Sequence, residues 1–419
     1  MKTKLVIVFA MALAAIGISV LSTFGGSPAR AASDPEIQAA IEDGLAWLAG
    51  QQQPDGCWPS NYDQAATTGL IVWKFEEWAK EHGYANPLDP TYIYHSQVED
   101  GLNCIFRRVQ TSGGLVWVGS PYWTVYLTGI DMIAIASSNN PMHIVPALGS
   151  PVDGWTYQAV LQDMLDWMAD AQNDGGCEIG GWSYHPNEVG RADNSNTGYA
   201  TMGIGFAASP PPTGFGLAMP AGVASKLNTF INNVQRTDGG SDYDPCALWG
   251  ESNILRTGNL LYEMVLAGRT VTDLDVQAAI NFIDTAWNWQ GDDQATFTMT
   301  KGLQAYGIDL LPVHGDWFDQ TSTHIVAAQD PGGWWPGYDT WMTTAWYLLS
   351  MEPTAFVPPP RPTPGAVGGD VELRVEGFAP ADVETGSPAP PYVPLAGAGA
   401  AAVLALTAGA WYARRRWLR

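Results

Sequence analysis

A repeated unit constrains the fold of this chain more than any other feature. In each copy, a helix-like run leads to a glutamine, a glycine-rich turn with an aromatic residue, and a second run that opens on a threonine. The first copy passes from residues 41–49 through the turn at residues 51–58 to Thr68-Gly69. Later copies open their second runs at Thr128, Thr197, Thr257, Thr300 and Thr344. The pattern predicts helical hairpins that stack or close around a common core, and the copies are too long for tetratricopeptide or ankyrin units.

Both runs of each copy have helical features. Ile41, Leu45 and Leu48 recur at the three-to-four spacing of one buried helix face. The second runs, such as residues 128–136 and 197–208, are apolar or small on nearly every side, which is typical of helices enclosed by other helices. We predict that these inner helices begin four residues before each threonine, mostly at good N-cap residues, namely Gln64, Thr124, Asp193, Asn253, Thr296 and Thr340.

The turn sequences resemble those of a known superfamily. QPDGCW at residues 53–58, QDPGGWW at residues 329–335 and Gly180-Gly181-Trp182 are similar to the QW-type repeat of squalene cyclases and prenyltransferase β subunits. This resemblance implies an all-α fold, a terpenoid cyclase-like α/α toroid of about six helical hairpins over residues 32–357. Inner helices would form a barrel and outer helices a jacket around it. The fold alone does not imply an activity.

The two ends of the chain predict export and a membrane anchor. Residues 1–31 have two lysines, an apolar stretch and an Ala-Arg-Ala site, the pattern of a signal peptide. Residues 358–392 form a proline-rich acidic linker, residues 393–413 a candidate transmembrane helix, and residues 414–419 a basic tail. The expected location is the cell surface, with the toroid outside the cytoplasmic membrane. Removal of the helix by a sorting enzyme stays open, although no LPxTG sequence is present.

The net charge restricts the possible binding partners, and the cysteines indicate disulfides or a metal site. The formal net charge of −23 disfavours nucleic acid and anionic lipid surfaces as partners of the folded part. Four cysteines in an exported chain favour disulfides, and Cys57–Cys104 and Cys177–Cys246 would join neighbouring repeats. Zinc is the weaker alternative, with Asp244 and Cys246 as candidate ligands, because no close pair of cysteines or histidines has ligand spacing. We predict no cofactor.

The chemistries of the superfamily are only partly matched. Class II cyclases carry D-x-D-D-T, but residues 193–197 read DNSNT, so serine and asparagine replace two carboxyl groups. Asp244-Pro245-Cys246 matches part of a prenyltransferase zinc site, but no histidine lies near residues 339–344. Asp292-Asp293 does not continue into a DDxxD motif and is interpreted as a solvated turn. No thioester G-C-G-E-Q sequence surrounds any cysteine, whereas a carrier role of the cobalamin-binding kind stays open.

The sequence therefore favours a non-catalytic module that binds a hydrophobic or small ligand, or a protein partner. Candidate ligand-binding residues are Tyr122, Trp123, Tyr199, Arg256 and Trp341, with packing of the barrel as their alternative role. The alternative is a divergent lipid- or terpenoid-processing enzyme, for which the candidate catalytic residues are Asp193, Asn196, Asp63 and Asp339. Glycan processing is a third possibility, in which two of the acids Asp63, Asp193, Asp244 and Asp339 would lie about 5–10 Å apart.

Overall fold

The structure is a computed structural model that describes residues 32–186, 188, 191–246 and 251–352. The chain divides into two compact units, Met1–Arg361 and Pro362–Arg419, and every described residue belongs to the first. The predicted signal peptide, linker, C-terminal helix and basic tail lie outside the described residues. Within the described ranges, no helix has the length and apolar character needed to cross a membrane.

The described chain is mostly helical, with its helices in alternating outer and inner positions. The outer helices are α1 (Asp34–Gln51), α3 (His95–Arg107), α5 (Tyr157–Asp170), α7 (Val223–Val234), α9 (Leu274–Ala286) and α11 (Trp317–Ala328). The inner helices are α2 (Gln64–Glu81), α4 (Thr124–Ser137), α6 (Asn194–Ala208), α8 (Ile254–Leu266), α10 (Asp293–Ala305) and α12 (Thr340–Ser350).

Two short antiparallel hairpins interrupt the helices of this mostly helical chain. Strand β1 (Val109–Ser112) pairs with β2 (Leu115–Val118), and β3 (Leu310–Leu311) pairs with β4 (Gly315–Asp316). The first hairpin occupies the turn of the second repeat, where Gly113 and Gly114 both have positive φ. Two consecutive residues in this region form a tight hairpin turn, so the turn pairs its flanks as strands.

The inner helices pack side by side in a closed order. Each one contacts the next along the chain, from α2 through α4, α6, α8 and α10 to α12, and α12 packs back against α2. Their residues are buried on nearly every side, whereas the outer helices bury one face. This arrangement is consistent with the α/α toroid that the repeats predict.

In four of the described repeats, the repeat glutamine joins its turn to the next outer helix through two hydrogen bonds. Gln172 Nε2 donates to Gly180 O at 2.8 Å in its own turn and to Val223 O at 3.1 Å at the start of α7. Gln52 and Gln235 make the same pair of bonds to α3 and α9. Gln329 of the last repeat bonds Ala40 O of α1 at 2.8 Å. The glutamine hydrogen bonds therefore also join the last hairpin to the first.

The glycine that follows each of these glutamines has two reasons to be a glycine. Gly56, Gly180, Gly239 and Gly333 all have positive φ. A Cβ atom at Gly180 would lie 1.8 Å from the carbonyl oxygen of Lys226 in α7, and the other three meet their next outer helices at 2.1–2.5 Å. Only glycine combines this backbone conformation with such close packing.

The repeat threonine ties the turn to the inner helix. Thr197 Oγ1 accepts the backbone N–H of Trp182 at 3.0 Å, and Thr68, Thr128, Thr257 and Thr344 accept the equivalent N–H at 3.0–3.2 Å. In three turns the tryptophan indole also donates to the preceding outer helix, as Trp182 does to Met168 O. In these three turns, hydrogen bonds therefore fix both the backbone and the indole ring of the tryptophan.

The predicted helix starts are correct at two positions and shifted at four. Asp193 and Asn253 cap α6 and α8, but the caps of α2, α4 and α12 are Asp63, Trp123 and Asp339, one residue earlier than predicted. The prediction for the fifth repeat was wrong by four residues, because Asp292 caps α10. Thr296, rather than Thr300, therefore occupies the repeat position.

Two disulfides connect neighbouring repeats within the described chain. Cys57 of the first turn bonds Cys104 of α3, and Cys177 of the third turn bonds Cys246 of the fourth. Both are the pairings expected from the repeat order. Each disulfide therefore links one hairpin to the next, as the glutamine hydrogen bonds do.

Candidate functional site

The middle of the ring is filled by aromatic side chains. Trp73 packs against Phe206 and Phe297 with ring centroids 5.1 and 6.1 Å apart, and Phe297 lies 6.5 Å from Tyr199. These four side chains come from α2, α6 and α10 and are buried. A ligand cannot enter this level of the ring without displacing them.

A cavity of about 330 Å³ lies at the N-terminal ends of the inner helices. Five aromatic side chains line it, namely Tyr62, Trp123, Tyr126, Tyr184 and Trp346. The other lining residues are Asp63, Ala66, Leu127, Ser195, Gln294 and Met342. Five of the six inner helices contribute, mostly through the second or third residue after the cap. The volume is at the lower end of the range of small-ligand sites.

Hydrogen bonds between ring substituents hold the aromatic wall in place. Trp346 Nε1 donates to the hydroxyl of Tyr199 at 3.2 Å, and Tyr199 also bonds the Tyr126 hydroxyl and the Gln294 side chain. The rings of Tyr126 and Tyr199 are 4.4 Å apart. Burial raises the pKa of Tyr199 to about 12. Both phenols therefore stay neutral at physiological pH and can donate as well as accept hydrogen bonds.

The charge next to the cavity is negative. Asp63 lines the cavity and accepts the Ala65 N–H at 2.8 Å through Oδ1 as the cap of α2. Asp339 accepts hydrogen bonds from Ser60 Oγ and Asn61 N at 2.7 and 2.6 Å. Burial raises the pKa of Tyr62, and Tyr338, Asp293 and Asp339 raise it further. The rim is therefore at negative potential.

Exposed aromatic residues surround the opening. Tyr62, Tyr122 and Tyr338 are 53%, 66% and 73% exposed. The ring of Tyr62 lies 5.1 Å from that of Tyr338 and 6.4 Å from that of Trp123, and Tyr122 lies 5.9 Å from Trp123. Large exposed apolar groups that adjoin a cavity mark a ligand or partner site more often than isolated ones do.

The predicted ligand-binding residues are only partly brought together. Trp123 lines the cavity, Tyr122 packs on Trp123 at the rim, and Tyr199 supports the wall from below. Arg256 lies away from it, with its guanidinium 5.3 Å from the centre of the Tyr243 ring and bonded to Glu251 O. Trp341 is half-buried and is not among the lining residues.

Asp193 and Asn196 form a buried capping arrangement beside the cavity. Asp193 accepts the Asn196 N–H at 2.9 Å and its side-chain amide at 2.7 Å. Tyr243 donates a third hydrogen bond to the same carboxylate. Burial raises the pKa of Asp193 to about 6, against the lowering effect of these bonds. The carboxylate is thus engaged in the helix cap and does not line the cavity.

The remaining candidate acids do not form a catalytic pair in the cavity. Asp339 caps α12 through Met342 N at 3.1 Å, and Asp244 accepts the Cys246 N–H at 2.7 Å. Of the four acids proposed for glycan processing, Asp63 alone is among the lining residues.

Cys246 is unsuitable as a zinc ligand. The sulfur atoms of Cys177 and Cys246 and a carboxylate oxygen of Glu178 lie within 4.8 Å of one another. The two sulfur atoms, however, are joined in a disulfide. A bonded sulfur offers no thiolate, so the candidate set of Asp244 and Cys246 loses its strongest ligand.

A buried ionic cluster that the sequence did not predict lies at the other end of the ring. Lys74 of α2 forms an ion pair with Glu352, and both side chains are fully buried. Lys301 Nζ donates to Glu352 O at 2.7 Å, and burial lowers the pKa of Lys301 to about 7. Burial would raise the pKa of Glu352, but Lys74 outweighs it and the pKa is lowered. The available signal was Lys74 directly after the apolar stretch of residues 70–73 in an inner helix.

Comparisons with known proteins find solved structures with a similar fold but assign the chain to no family. No protein-family model matches the sequence, and no curated protein matches it. Solved structures with similar folds include the type II terpene cyclase MstE from Scytonema, at 12% identity and a TM-score of 0.47 over 76% of this chain and 98% of that one. A protein from Actinoplanes has 13% identity and a TM-score of 0.44 over 76% and 99%. At these values the likeness supports no statement about activity.

Proposed function

We propose that this protein is an exported, membrane-anchored, non-catalytic module that binds a small ligand in the cavity at the N-terminal ends of its inner helices. The observation that carries this proposal is the cavity of about 330 Å³ with its five aromatic lining residues. Apolar walls with a few fixed polar groups are typical of small-molecule sites.

The filled middle of the ring favours a compact ligand. Trp73, Phe206 and Phe297 occupy the level below the cavity and are buried. A long polyprenyl chain would need a deeper channel, whereas a molecule of roughly ten non-hydrogen atoms suits a cavity at the lower end of the usual range. The hydroxyls of Tyr126 and Tyr199 and the amide of Gln294 offer polar contacts to such a molecule.

Enzymatic alternatives lack comparable support. Among the described residues that line the cavity, Asp63 provides the single carboxylate. Hydrolysis of a glycoside uses two carboxyl groups on either side of the reacting bond. Asp193 and Asp339 are held by the caps of α6 and α12 instead. Binding without catalysis is therefore the function that the arrangement supports best.

Export and anchoring are supported by the ends of the chain and by its cysteines. The charge pattern of residues 1–31 suits a signal peptide, and residues 395–412 form an uncharged stretch followed by arginines. Two disulfides suit an oxidising compartment outside the cytoplasm.

Ligand extraction tests the proposal. The full chain, purified from its own cells, is denatured, and the released compounds are identified by mass spectrometry. Ser195→Trp fills the cavity from the second position of α6, and we expect it to abolish a ligand that the unmodified chain carries. Ser225→Trp makes the same change on an exposed position of the outer helix α7 and should retain the ligand. Equal ligand content in both variants would contradict the proposal, as would an unmodified chain that yields no ligand on extraction and binds no added compound.

A further inference from the structure

We propose that the cavity ligand is a small organic cation that carries a quaternary or protonated ammonium group. This inference rests on the proposed function and adds the chemical class of the ligand. Three features of the cavity support it: the aromatic rings of its wall, the sign of its charge, and the aspartate caps on four of the five helix ends that face it.

Aromatic rings enclose the cavity from several directions. Tyr62 and Tyr184 lie on loops, Trp123 caps α4, Tyr126 lies in the first turn of α4, and Trp346 belongs to α12. The face of each ring is negative because of its quadrupole, so several rings around one space attract a cation. Tryptophan and tyrosine are the strongest contributors to such contacts.

The charged residue that lines the cavity is acidic, whereas Arg108 contacts the neighbouring Gln64 Oε1 at 2.6 Å and does not line it. Asp63 lines the cavity, and among the described residues no lysine, arginine or histidine does. One oxygen of Asp63 caps α2, and no described residue donates a hydrogen bond to the other. Asp293 and Asp339 add negative potential at Tyr62. An anion would be repelled here, whereas a cation can pair with the free oxygen of Asp63.

The helix N-termini that face the cavity do not reverse this preference. Uncapped helix starts would favour an anion through their free N–H groups. An aspartate side chain accepts one such N–H in each of four helices, α2, α6, α10 and α12, through Asp63, Asp193, Asp292 and Asp339. The fifth helix at the cavity, α4, has no side-chain cap, and its Val125 N–H donates to Tyr184 O at 3.1 Å. The aspartate carboxylates offset the positive ends of the four capped helices, so the acids and the rings dominate the field in the cavity.

A matched pair of ligands tests the class of the ligand. Isothermal titration of the full chain, held in phosphatidylglycerol nanodiscs and amine-free buffer, measures choline against its neutral isostere, in which a tert-butyl group replaces the trimethylammonium group. We expect choline to bind at least about tenfold more tightly than the isostere, the size of one cation–aromatic contact. A short-chain phosphatidylcholine forms a third arm, which separates a lipid headgroup from a free cation as the source.

Two variants locate the cation. Asp63→Asn keeps a good N-cap but removes the charge, and Trp123→Leu removes one ring; each should weaken choline about tenfold and leave the isostere unchanged. Asp316→Asn makes the same neutral change at the cap of the outer helix α11, away from the cavity, and should leave choline binding unchanged.

Three outcomes would overturn the inference: equal binding of choline and isostere, full choline affinity in Asp63→Asn and Trp123→Leu, or no binding of choline, tetramethylammonium or simple primary amines at millimolar concentration. If these cations fail while a neutral compound is extracted from the unmodified chain and lost in Ser195→Trp, the small-ligand function stands and the cation class is wrong. If no compound is extracted and none binds, both proposals fail.

Discussion

At the scale of single residues, the repeat motif is a set of bonds between hairpins. In the third repeat, Gln172 bonds α7 and Gly180 packs against the carbonyl of Lys226 in the same helix. The Trp182 indole bonds α5, and Thr197 accepts the backbone N–H of Trp182 in the turn. None of these residues lines the cavity. The motif therefore specifies architecture, and its presence is no evidence for catalysis.

Gly180→Ala tests the close approach of the turn to the next outer helix. The φ of Gly180 is +88°, and a Cβ atom would meet the Lys226 carbonyl oxygen at 1.8 Å. We expect a loss of at least ~2 kcal/mol in the free energy of unfolding, measured by urea denaturation. Gly175→Ala is the matched control, because its Cβ would have no neighbour within 4 Å. Equal stability of the two variants would show that the repeat glycine is dispensable.

Asp193 predicts a specific pH dependence of stability. Its folded-state pKa of about 6 is raised from an ordinary value of 3.8. The folded state therefore binds the proton more tightly, and the contribution is present below pH 3.8 and is lost as the pH rises through about 6. We expect the unfolding free energy to fall by about 3 kcal/mol across this interval from this group.

Asp193→Asn should remove that component while keeping the helix cap. Asparagine caps as well as aspartate does. Asn196 Oδ1, for which no partner is found among the described atoms, can accept the new amide after a flip. Urea denaturation from pH 4 to 7 would measure the difference between the two proteins. A constant difference across this range would mean that Asp193 does not titrate there.

At the scale of elements, helical hairpins are readily predicted from their period and caps, but their exceptions are not. The alternation of helix types and the caps Asp193 and Asn253 follow from local chemistry. The start of α10 was misplaced because Thr300 imitates the repeat threonine, while Asp292 had been interpreted as part of a solvated turn. The β1–β2 hairpin depends on two successive positive φ angles, which glycine permits but does not require.

The cavity was harder to predict than the helices. Asp63 and Trp123 were named from the sequence and line it, but Tyr62, Tyr126, Tyr184 and Trp346 were not named. Most lining positions lie two or three residues after an inner cap, which is a usable signal once the caps are known. The loop residues could not be found this way, because closure of the ring brings Tyr62 and Tyr184 together from different repeats.

Asp292→Ala tests the revised start of the fifth inner helix. Its side chain accepts the Ala295 N–H at 2.8 Å, so its loss should cost about 1 kcal/mol of unfolding free energy. Asp309→Ala removes the same charge from an exposed residue and should change stability by less than ~0.5 kcal/mol. Thermal denaturation of both variants measures the difference. Equal midpoints would favour the predicted helix start at Thr296 over the start after Asp292.

At the scale of the whole molecule, the first and last repeats are joined at both levels of the ring. Gln329 bonds α1, and α12 packs against α2. Lys74 of α2 pairs with Glu352, directly after α12. These contacts connect segments more than 270 residues apart in sequence, since Lys74 and Glu352 alone are separated by 278. Stability of the ring therefore depends on contacts that no single hairpin contains.

Lys74→Met tests the ionic part of this closure. The variant leaves the Glu352 carboxylate buried without its ammonium partner, and we expect a loss of about 3–5 kcal/mol in unfolding free energy. Lys74→Met combined with Glu352→Gln should recover a large part of that loss, because the unpaired charge is gone. A double-mutant cycle by urea denaturation measures the coupling. Additive losses would show that the pair does not act as a unit.

The ring is filled at its middle, and we propose that it binds a compact ligand at one end. A crystal structure of the full chain purified from its own cells tests this most directly. We expect density for a compact molecule between Trp123, Trp346 and Asp63, with Trp73 and Phe297 still packed beneath it. A cavity that holds only water would contradict it, as would a long ligand that runs down the axis with those two rings displaced.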